Sequence, residues 1–427
     1  MQSHFPVVIV GGGQAGLSIS YCLQQRGIDN VIFEKESIAH SWQSKRWDSF
    51  CLVTPNWQCT LPGYHYSGEE PNGFMQRDEI VRYVKSYADS FGPCIKEGVE
   101  VQRVCRHAER GVFEVSTSIG TYTADQVVIA IGGYHQKKIP RMAERLPENV
   151  LQLHSSEYRN PQSLPSGAVM VVGTGQSGCQ IAEDLHLAGT QVHLCVGGAP
   201  RSPREYRGKD VVDWLDQMGY YDIPISEHPQ KESVRTKTNH YVTGRGGGRE
   251  IDLRQFATEG MRLHGRLETI QGEGLTFKDD LKANLDYADE VAESIKGTID
   301  KYIAEAQIEA PTEPAYAPAW EPTSAPLALD IEAAGIATVI WSTGYHMDFS
   351  WVGVPAFDGK GYPGHDRGVS EVEGLYFLGL PWLYTWGSGR FSGIARDAEY
   401  LADCIALKKR VLPRRSARAV NEMAIGS

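Results

Sequence analysis

Residues 6–16, Pro6-Val7-Val8-Ile9-Val10-Gly11-Gly12-Gly13-Gln14-Ala15-Gly16, decide the fold of this chain. The apolar, β-branched run at 6–10 is typical of a parallel strand that is buried on both faces. The strand enters a loop in which Gly11, Gly13 and Gly16 fit the spacing G-x-G-x-x-G. These glycines permit a tight turn, close approach of a pyrophosphate and helix–strand packing. The stretch therefore predicts a Rossmann-like dinucleotide-binding unit.

An acid ends the second strand of this unit. A predicted helix stops at Gly27, and the strand at residues 30–33 runs directly into Glu34. A carboxylate in that place can accept hydrogen bonds from both ribose hydroxyls of an adenosine, whereas it would repel a 2′-phosphate. Glu34 therefore favours FAD at the first site.

The same pattern recurs in the middle of the chain. Residues 168–172 are again apolar and β-branched, and they enter a loop with glycines at Gly173, Gly175 and Gly178. A helical pattern comes next and ends at Gly189. Two such units predict two dinucleotides bound by one chain.

The second unit differs from the first at the end of its second strand. Residues 191–196 end without an acid, and Arg201 and Arg204 come shortly after them. Arginines can clamp a ribose 2′-phosphate, so this site is predicted to bind NADPH. The alternative is that both arginines are ordinary solvated loop residues.

Length and charge limit the classes of function. A chain of 427 residues is too long for one compact core, so two domains are expected. The net charge of −11 argues against a nucleic-acid partner, because phosphate binding needs clustered positive charge. No stretch approaches the ~20 apolar residues that a membrane span requires.

The cysteines and both ends of the chain indicate a cytoplasmic protein. None of the eight cysteines forms a Cys-x-x-Cys pair, and none has the spacing of a zinc site. The first six residues lead straight into a strand, without a signal peptide.

The basic tail from Lys408 to Arg418 is either a frayed end or a partner-binding segment. A homodimer is left open.

Later segments predict a return of the chain to its first domain. Residues 336–341 read as another buried strand, and residues 374–379 as a strand that leads towards a helix at 396–407. The predicted fold class is α/β, with two Rossmann-like domains. An NADPH domain at 158–325 is inserted into a discontinuous FAD domain at 1–157 and 326–427.

The region at about 279–325 is predicted to be a helical insertion in the NADPH domain. An acidic amphipathic helix at 280–306 precedes a segment rich in proline and alanine. The insertion either caps the active-site cleft or packs at the periphery of the domain.

The chain resembles the class B flavin-dependent monooxygenases. The resemblance covers most of the chain and includes both glycine loops, the stretch from Trp42 to Trp47, residues 71–75 and residues 342–345. The interdomain fingerprint of that family is kept only in part. His154 and Tyr158 are present, but Glu148 and Val150 stand where the family has Phe and Gly, which suggests a bacterial side branch.

The resemblance implies an oxygenating flavoenzyme. NADPH would reduce FAD, and the reduced flavin would react with molecular oxygen to a C4a-(hydro)peroxide that oxygenates a small organic substrate. Family analogy favours the nitrogen of an amine or amino acid. Sulfoxidation, Baeyer–Villiger oxygenation, and an NADPH oxidase or electron donor to a partner protein stay open. A disulfide oxidoreductase is disfavoured, because it would need a redox-active cysteine pair.

The resemblance also supplies candidate site residues, each with a structural alternative. Asn56 lies where the family often places an asparagine beside the flavin peroxide, although it also suits a turn. Trp386 and Arg390 are on the loop predicted to meet the isoalloxazine, and they line either the substrate pocket or ordinary packing. Gln176 is predicted to touch the nicotinamide ribose, and His154 to be an interdomain hinge. The further predicted cofactor contacts are Trp42, Ser177, Thr343 and Gly344.

Overall fold

The computed structural model describes residues 4–107, 111–323 and 326–411. The basic residues Arg414, Arg415 and Arg418 of the predicted tail lie outside the described residues. In the described part of the chain, no helix is both long enough and apolar enough to cross a membrane.

The regular elements alternate between strands and helices over most of the chain. The helices are α1 (Gln14–Gln25), α2 (His40–Ser44), α3 (Arg77–Phe91), α4 (Gln176–Leu187), α5 (Val211–Gln217), α6 (Leu253–Thr258), α7 (Leu281–Glu305) and α8 (Ile394–Val411). The strands are β1 (His4–Val10), β2 (Asn30–Phe33), β3 (Thr60–Leu61), β4 (Tyr64–His65), β5 (Ile95–Lys96), β6 (Val101–Arg106), β7 (Phe113–Thr117), β8 (Gly120–Ile129), β9 (Gln136–Lys137), β10 (Leu151–His154), β11 (Ala168–Val172), β12 (Val192–Cys195), β13 (Glu205–Tyr206), β14 (Lys209–Asp210), β15 (Arg262–His264), β16 (Leu267–Gln271), β17 (Gly274–Phe277), β18 (Ala328–Asp330), β19 (Ile336–Trp341), β20 (Tyr345–His346), β21 (His365–Asp366), β22 (Val369–Ser370) and β23 (Leu375–Phe377).

The first sheet is built around β1. Its strand order is β21-β22-β23-β8-β1-β2-β5, and the antiparallel hairpin β6–β7 joins at β8. β1 pairs in parallel with β2 and β8, and β23 pairs in parallel with β8. Apolar residues of α1, α3 and α8 form a core on one face, while β6, β7 and residues 349–357 cover the other. Burial of both faces explains why residues 7–10 of β1 and 31–33 of β2 are uniformly apolar.

The second sheet is entirely parallel, in the order β10-β19-β11-β12-β15. Apolar residues of α4, α6 and α7 cover one face. The small antiparallel sheet β16-β17-β18 contributes to the core on the other face. The predicted α/β fold with two Rossmann-like units is confirmed.

The predicted assignment of residues 336–341 to the FAD domain is wrong. These residues form β19, which pairs with β10 and β11 in the second sheet. β10 lies before residue 158. The second sheet therefore contains one strand from before the predicted NADPH domain, β10, and one from after it, β19. A buried, β-branched run has the same pattern in either sheet, and the sequence alone does not select its neighbour.

The predicted helix at 280–306 corresponds to α7, whose residues Leu285, Ile299 and Ile303 are buried. Asn284 on this helix donates from Nδ2 to the backbone oxygen of Val196 at 3.0 Å, at the end of β12. These contacts show that α7 packs against the second sheet as one of the helices that bury its face. They favour the packing alternative over a lid.

Candidate cofactor and substrate site

The first glycine loop, residues 11–16, has the shape that a pyrophosphate needs. Gly11 has a φ of +103°, and a Cβ there would lie 2.7 Å from the oxygen of Ala130. A Cβ on Gly16 would lie 1.8 Å from the oxygen of Gly11, so only glycine lets α1 approach the loop this closely. A Cβ on Gly13 would meet no atom within 4 Å. The loop therefore presents an open cradle at the N-terminus of α1, where an anion is stabilised.

Glu34 lies against this cradle, as predicted from the end of β2. Its Oε2 accepts a hydrogen bond from the backbone N–H of Gly12 at 2.6 Å, and its Oε1 accepts one from the N–H of Glu36 at 2.9 Å. A carboxylate has about four acceptor positions, so lone pairs remain for ribose hydroxyls. The group fits the adenosine end of FAD.

The second glycine loop, residues 173–178, repeats this geometry. Gly173 has a φ of +104°, and a Cβ on Gly178 would lie 1.9 Å from the oxygen of Gly173. The Cβ position of Gly175 has as its nearest neighbour the Cγ2 of Thr238, at 3.5 Å. Residues 238–243, here the crossing segment, therefore run beside this cradle.

Two further predicted contacts of the second cofactor lie on the first turn of α4. Gln176 donates from Nε2 to the oxygen of Val242 at 2.5 Å, which ties the crossing segment to the helix. Ser177 is half-buried beside it. Their contact with the nicotinamide end of NADPH stays a prediction.

Arg201 and Arg204 are not available as a phosphate clamp, and this part of the prediction is wrong. Arg201 is 1% exposed; it pairs with Glu250, its Nε lies 2.7 Å from Asp289 Oδ1, and it stacks on Tyr316. A guanidinium that is buried against two carboxylates lies inside the fold and not on a surface that a phosphate can reach. Since it is buried, Arg201 is not a solvated loop residue either, so the alternative prediction is also wrong.

Arg204 is buried in the same manner. It is 4% exposed, its Nη1 lies 3.2 Å from Asp210 Oδ2, and its Nη2 donates to the oxygen of Val53 at 2.8 Å. Burial lowers the pKa of its guanidinium, and Asp210 opposes that shift. Both arginines therefore stabilise the fold around the second sheet.

The loop at 379–393, between β23 and α8, closes over the first cradle. A Cβ on Gly379 would lie 2.8 Å from Ala15 Cβ, and Gln14 Nε2 donates to the oxygen of Gly389 at 3.2 Å. The loop thus contacts the first glycine loop, and its contact with the isoalloxazine stays a prediction. Trp42 is adjacent, because its Nε1 donates to Gln14 Oε1 at 3.4 Å.

A buried carboxylate holds the 379–393 loop in place. Ser388 Oγ accepts from the N–H groups of Tyr384 and Thr385, both at 3.0 Å, and donates to Asp397 Oδ2 at 2.6 Å. Asp397 is 1% exposed, and burial raises its pKa to about 6. Its Oδ1 has Arg367 Nε 3.9 Å away. This pair was not predicted from the sequence.

Trp386 and Arg390 lie on this loop and contact each other. The Arg390 guanidinium lies 4.0 Å from the centre of the Trp386 ring and donates to the Trp386 backbone oxygen. Its Nη2 donates to Oδ1 of Asn239, on the crossing segment, at 3.0 Å. The 379–393 loop, which contacts the first glycine loop, therefore also contacts the crossing segment, which runs beside the second; the region around Trp386, Arg390 and Asn239 is here called the cleft. Asn239 carries no signal in the sequence, because it is an exposed polar residue in an irregular segment.

Asn56 has a structural role that limits the predicted catalytic one. Its Oδ1 accepts from the N–H of Met75 at 2.7 Å, and its Nδ2 donates to the oxygen of Glu70 at 3.0 Å. The amide oxygen keeps a second lone pair, so the predicted contact of Asn56 with the flavin peroxide stays a prediction. One N–H of the amide remains for a ligand.

Thr343 and Gly344 lie where the chain passes between the two sheets. Thr343 Oγ1 donates to the oxygen of Lys138, and the Gly344 oxygen accepts from the Lys138 N–H at 3.0 Å. His154 is buried, and its Nε2 lies 3.0 Å from the oxygen of Gly344. Burial lowers the pKa of His154, which suits a neutral hydrogen-bonding residue at a hinge. Cofactor contact by Thr343 and Gly344 stays a prediction.

Known proteins resemble this chain over nearly its whole length. The pyridine nucleotide-disulphide oxidoreductase family matches residues 8–251. An uncharacterized oxidoreductase of Geobacillus kaustophilus is 34% identical, with 95% of this chain and 99% of that protein covered. The probable indole-3-pyruvate monooxygenase YUCCA1 of Arabidopsis thaliana is 31% identical over 48% of this chain and 50% of that protein.

The fold has a solved counterpart as well. A mutant flavin monooxygenase from Stenotrophomonas maltophilia superposes with a TM-score of 0.66 at 20% identity, over 96% of this chain and 100% of that one. Both cradles fit the pyrophosphate of a dinucleotide, and the comparisons support FAD and NADPH as the cofactors. The chain therefore belongs to the pyridine nucleotide-disulphide oxidoreductase family, and its fold is that of a flavin monooxygenase.

Proposed function

We propose that this enzyme transfers one atom of dioxygen to a small organic substrate, with the nitrogen of an amine or amino acid as the acceptor. The reaction consumes NADPH, a proton, dioxygen and substrate, and it yields NADP⁺, water and the oxygenated product. Bound FAD supplies the redox and oxygen chemistry.

One observation carries the proposal: the cleft in which Arg390 meets Asn239. Arg390 is next to Gly389, which contacts the first turn of α1, and Asn239 is next to Thr238, which lies beside Gly175. Hydride transfer needs the reactive ends of the two cofactors side by side. A cleft that borders both cradles provides that place, with Trp386 and Tyr221 as an aromatic wall.

The cysteines do not support disulfide chemistry in this cleft. All eight are free thiols, and burial raises the pKa of Cys22, Cys51, Cys59, Cys179 and Cys195. A thiol with a raised pKa is a poor nucleophile, because the thiolate is the reactive form. The relative named for indole-3-pyruvate oxygenation gives further support to an oxygenase.

The proposal is tested with ¹⁸O₂ and a panel of one aromatic amino acid, whose nitrogen is the amine, one thioether and one cyclic ketone. We expect one ¹⁸O atom in the N-oxygenated amine for each NADPH consumed. If ¹⁸O appeared only in the product of the thioether or the ketone, the enzyme would still be an oxygenase, but nitrogen would be refuted as the acceptor atom. Hydrogen peroxide equal to the NADPH consumed, with no label in any product, would favour the NADPH oxidase alternative instead.

A further inference from the structure

Among the described residues, Arg46 and Arg390 lack the carboxylate partners that three fully buried arginines of this chain have. Arg201, Arg204 and Arg254 are fully buried, and each has at least one carboxylate within 4.0 Å. Arg46 and Arg390 are only half-buried, and no carboxylate of the described residues lies within that distance of either. A cation withdrawn from water without a counter-ion is costly, so such a site favours an anionic ligand.

The hydrogen bonds of Arg390 hold the guanidinium without neutralising it. It donates to the backbone oxygen of Trp386 and to the side-chain oxygen of Asn239, both of which are uncharged. Burial lowers its pKa, and the hydroxyls of Tyr134, Tyr220 and Tyr221 oppose that shift. A guanidinium has five N–H donors, so donors remain for a ligand in the cleft.

Arg46 is also held by an uncharged acceptor, and it also lies near Tyr134. Its Nη1 donates to the oxygen of Lys45 at 2.9 Å, and its guanidinium lies 5.3 Å and 5.4 Å from the ring centres of Trp42 and Phe50. Burial lowers its pKa, an effect that Tyr345 and Tyr134 oppose. Tyr134 is thus close enough to both guanidinium groups to influence each electrostatically.

Aromatic and apolar side chains surround the two cations. The Tyr221 ring lies 4.6 Å from the ring of Trp386, and the Tyr134 ring lies 5.2 Å from that of Tyr345. Tyr134 is 57% exposed, and Met347 beside it is 38% exposed. Flat apolar surface with fixed positive charge suits an aromatic molecule that carries an anion.

We propose that Arg390 binds the carboxylate of an aromatic substrate acid in this cleft. The inference rests on the proposed function, because it names the substrate class of the same site and selects acids over simple amines. The phosphates of the cofactors are the other source of negative charge. They already have the N-termini of α1 and α4, where free backbone N–H groups stabilise anions.

The test is equilibrium binding to the oxidised, FAD-loaded enzyme without NADPH, monitored by the flavin difference absorbance. The probes are 3-phenylpropionate and 3-phenylpropanamide, which differ in charge but hardly in shape. We expect the carboxylate to bind about tenfold more tightly or better, since a charge-assisted hydrogen bond is lost with the amide. Added salt should weaken binding of the carboxylate alone.

Arg390→Met should reduce this preference to about one, while FAD content and the Kd for NADP⁺ stay unchanged. Arg145→Met, at an exposed position far along the chain, is the matched control and should retain the preference. If Arg390→Met does not retain FAD, Arg390→Lys replaces it. It keeps the charge but loses the forked geometry, so a reduced preference above one is expected.

Two results would overturn the inference. One is equal or absent binding of the two probes by the unaltered enzyme. The other is a weakened NADP⁺ Kd in Arg390→Met with the carboxylate preference retained, which would assign the arginine to the cofactor. Because this binding test needs no turnover, failure of the ¹⁸O₂ experiment would refute the proposed function and leave the carboxylate site standing.

Discussion

The two glycine loops have almost the same backbone and differ in what surrounds the end of the next strand. Gly11 and Gly173 share a φ close to +104°, and Gly16 and Gly178 approach a carbonyl oxygen equally closely. The first loop keeps a carboxylate, Glu34, bonded to its own backbone. The second has no such acid, and the arginines after β12 are turned inwards to Asp289 and Asp210. The shared loop geometry therefore fixes where a pyrophosphate binds. The residues at the end of the next strand must determine which dinucleotide binds there.

The largest effect is expected from Arg201→Met, which tests whether this arginine stabilises the fold. Removing one partner of a buried ion pair costs about 3–5 kcal/mol, because Glu250 and Asp289 lose their counter-ion. Thermal unfolding should shift down by on the order of 10 °C. The ratio of kcat/KM for NADPH and NADH should not change. A tenfold fall in that ratio with an unchanged Tm would show instead that Arg201 contacts the NADPH phosphate.

Gly16→Ala and Gly178→Ala compare the loops directly. Each added Cβ would collide with a backbone oxygen, at 1.8 Å and 1.9 Å respectively. Overpacking of this kind costs about 3 kcal/mol, or roughly a hundredfold in ligand affinity. Gly16→Ala should lose FAD, whereas Gly178→Ala should keep FAD and bind NADP⁺ weakly. Loss of FAD from Gly178→Ala, measured by absorbance per chain, would contradict the separation of the sites.

Both glycine loops, the strands before them and α7 are predictable from local pattern, and the structure agrees there. The sheet that contains β19 was not predictable, because pairing depends on neighbours that periodicity does not encode. The prediction for Arg201 was wrong for a similar reason: its partner Asp289 is 88 residues away in sequence. Asn239 belongs to no motif, and only the fold brings it to the cleft. Local chemistry could be predicted, whereas long-range charge pairing could not.

Asp397→Asn tests the buried carboxylate that supports the 379–393 loop beside the first cradle. Burial raises the pKa of Asp397 from 3.8 to about 6, so ionising it costs folding free energy. The cost is absent below about pH 4 and is complete once the pH has risen through about 6. The variant should therefore be more stable at about pH 8, by at most about 3 kcal/mol.

The same variant should show no gain in thermal stability at about pH 4, where both forms are neutral. Ser388→Ala is the companion variant, since it removes the hydrogen bond to Asp397 and to the N–H groups of Tyr384 and Thr385. It should destabilise the enzyme at both pH values. An equal gain for Asp397→Asn at both would show that the carboxylate's charge is not the cause.

The smallest effect is expected at Glu34. Glu34→Gln keeps an acceptor for Gly12 but loses the charge, so FAD affinity should fall by about 1–2 kcal/mol, roughly tenfold. NADP⁺ affinity should be unaffected, because the second loop has its own cradle. Isothermal titration of the apoprotein with FAD measures the change. An equal loss for both nucleotides would show that Glu34 does not distinguish the two sites.

In the proposed cycle, NADPH bound at the second loop reduces a flavin at the first, and the reduced flavin then activates oxygen. Stopped-flow absorbance of the NADPH-reduced enzyme mixed with oxygen is the decisive measurement. We expect a lasting band at shorter wavelength than the oxidised-flavin maxima, whose decay a substrate accelerates. Direct return to the oxidised spectrum, with hydrogen peroxide equal to the flavin reoxidised whatever substrate is added, would contradict it.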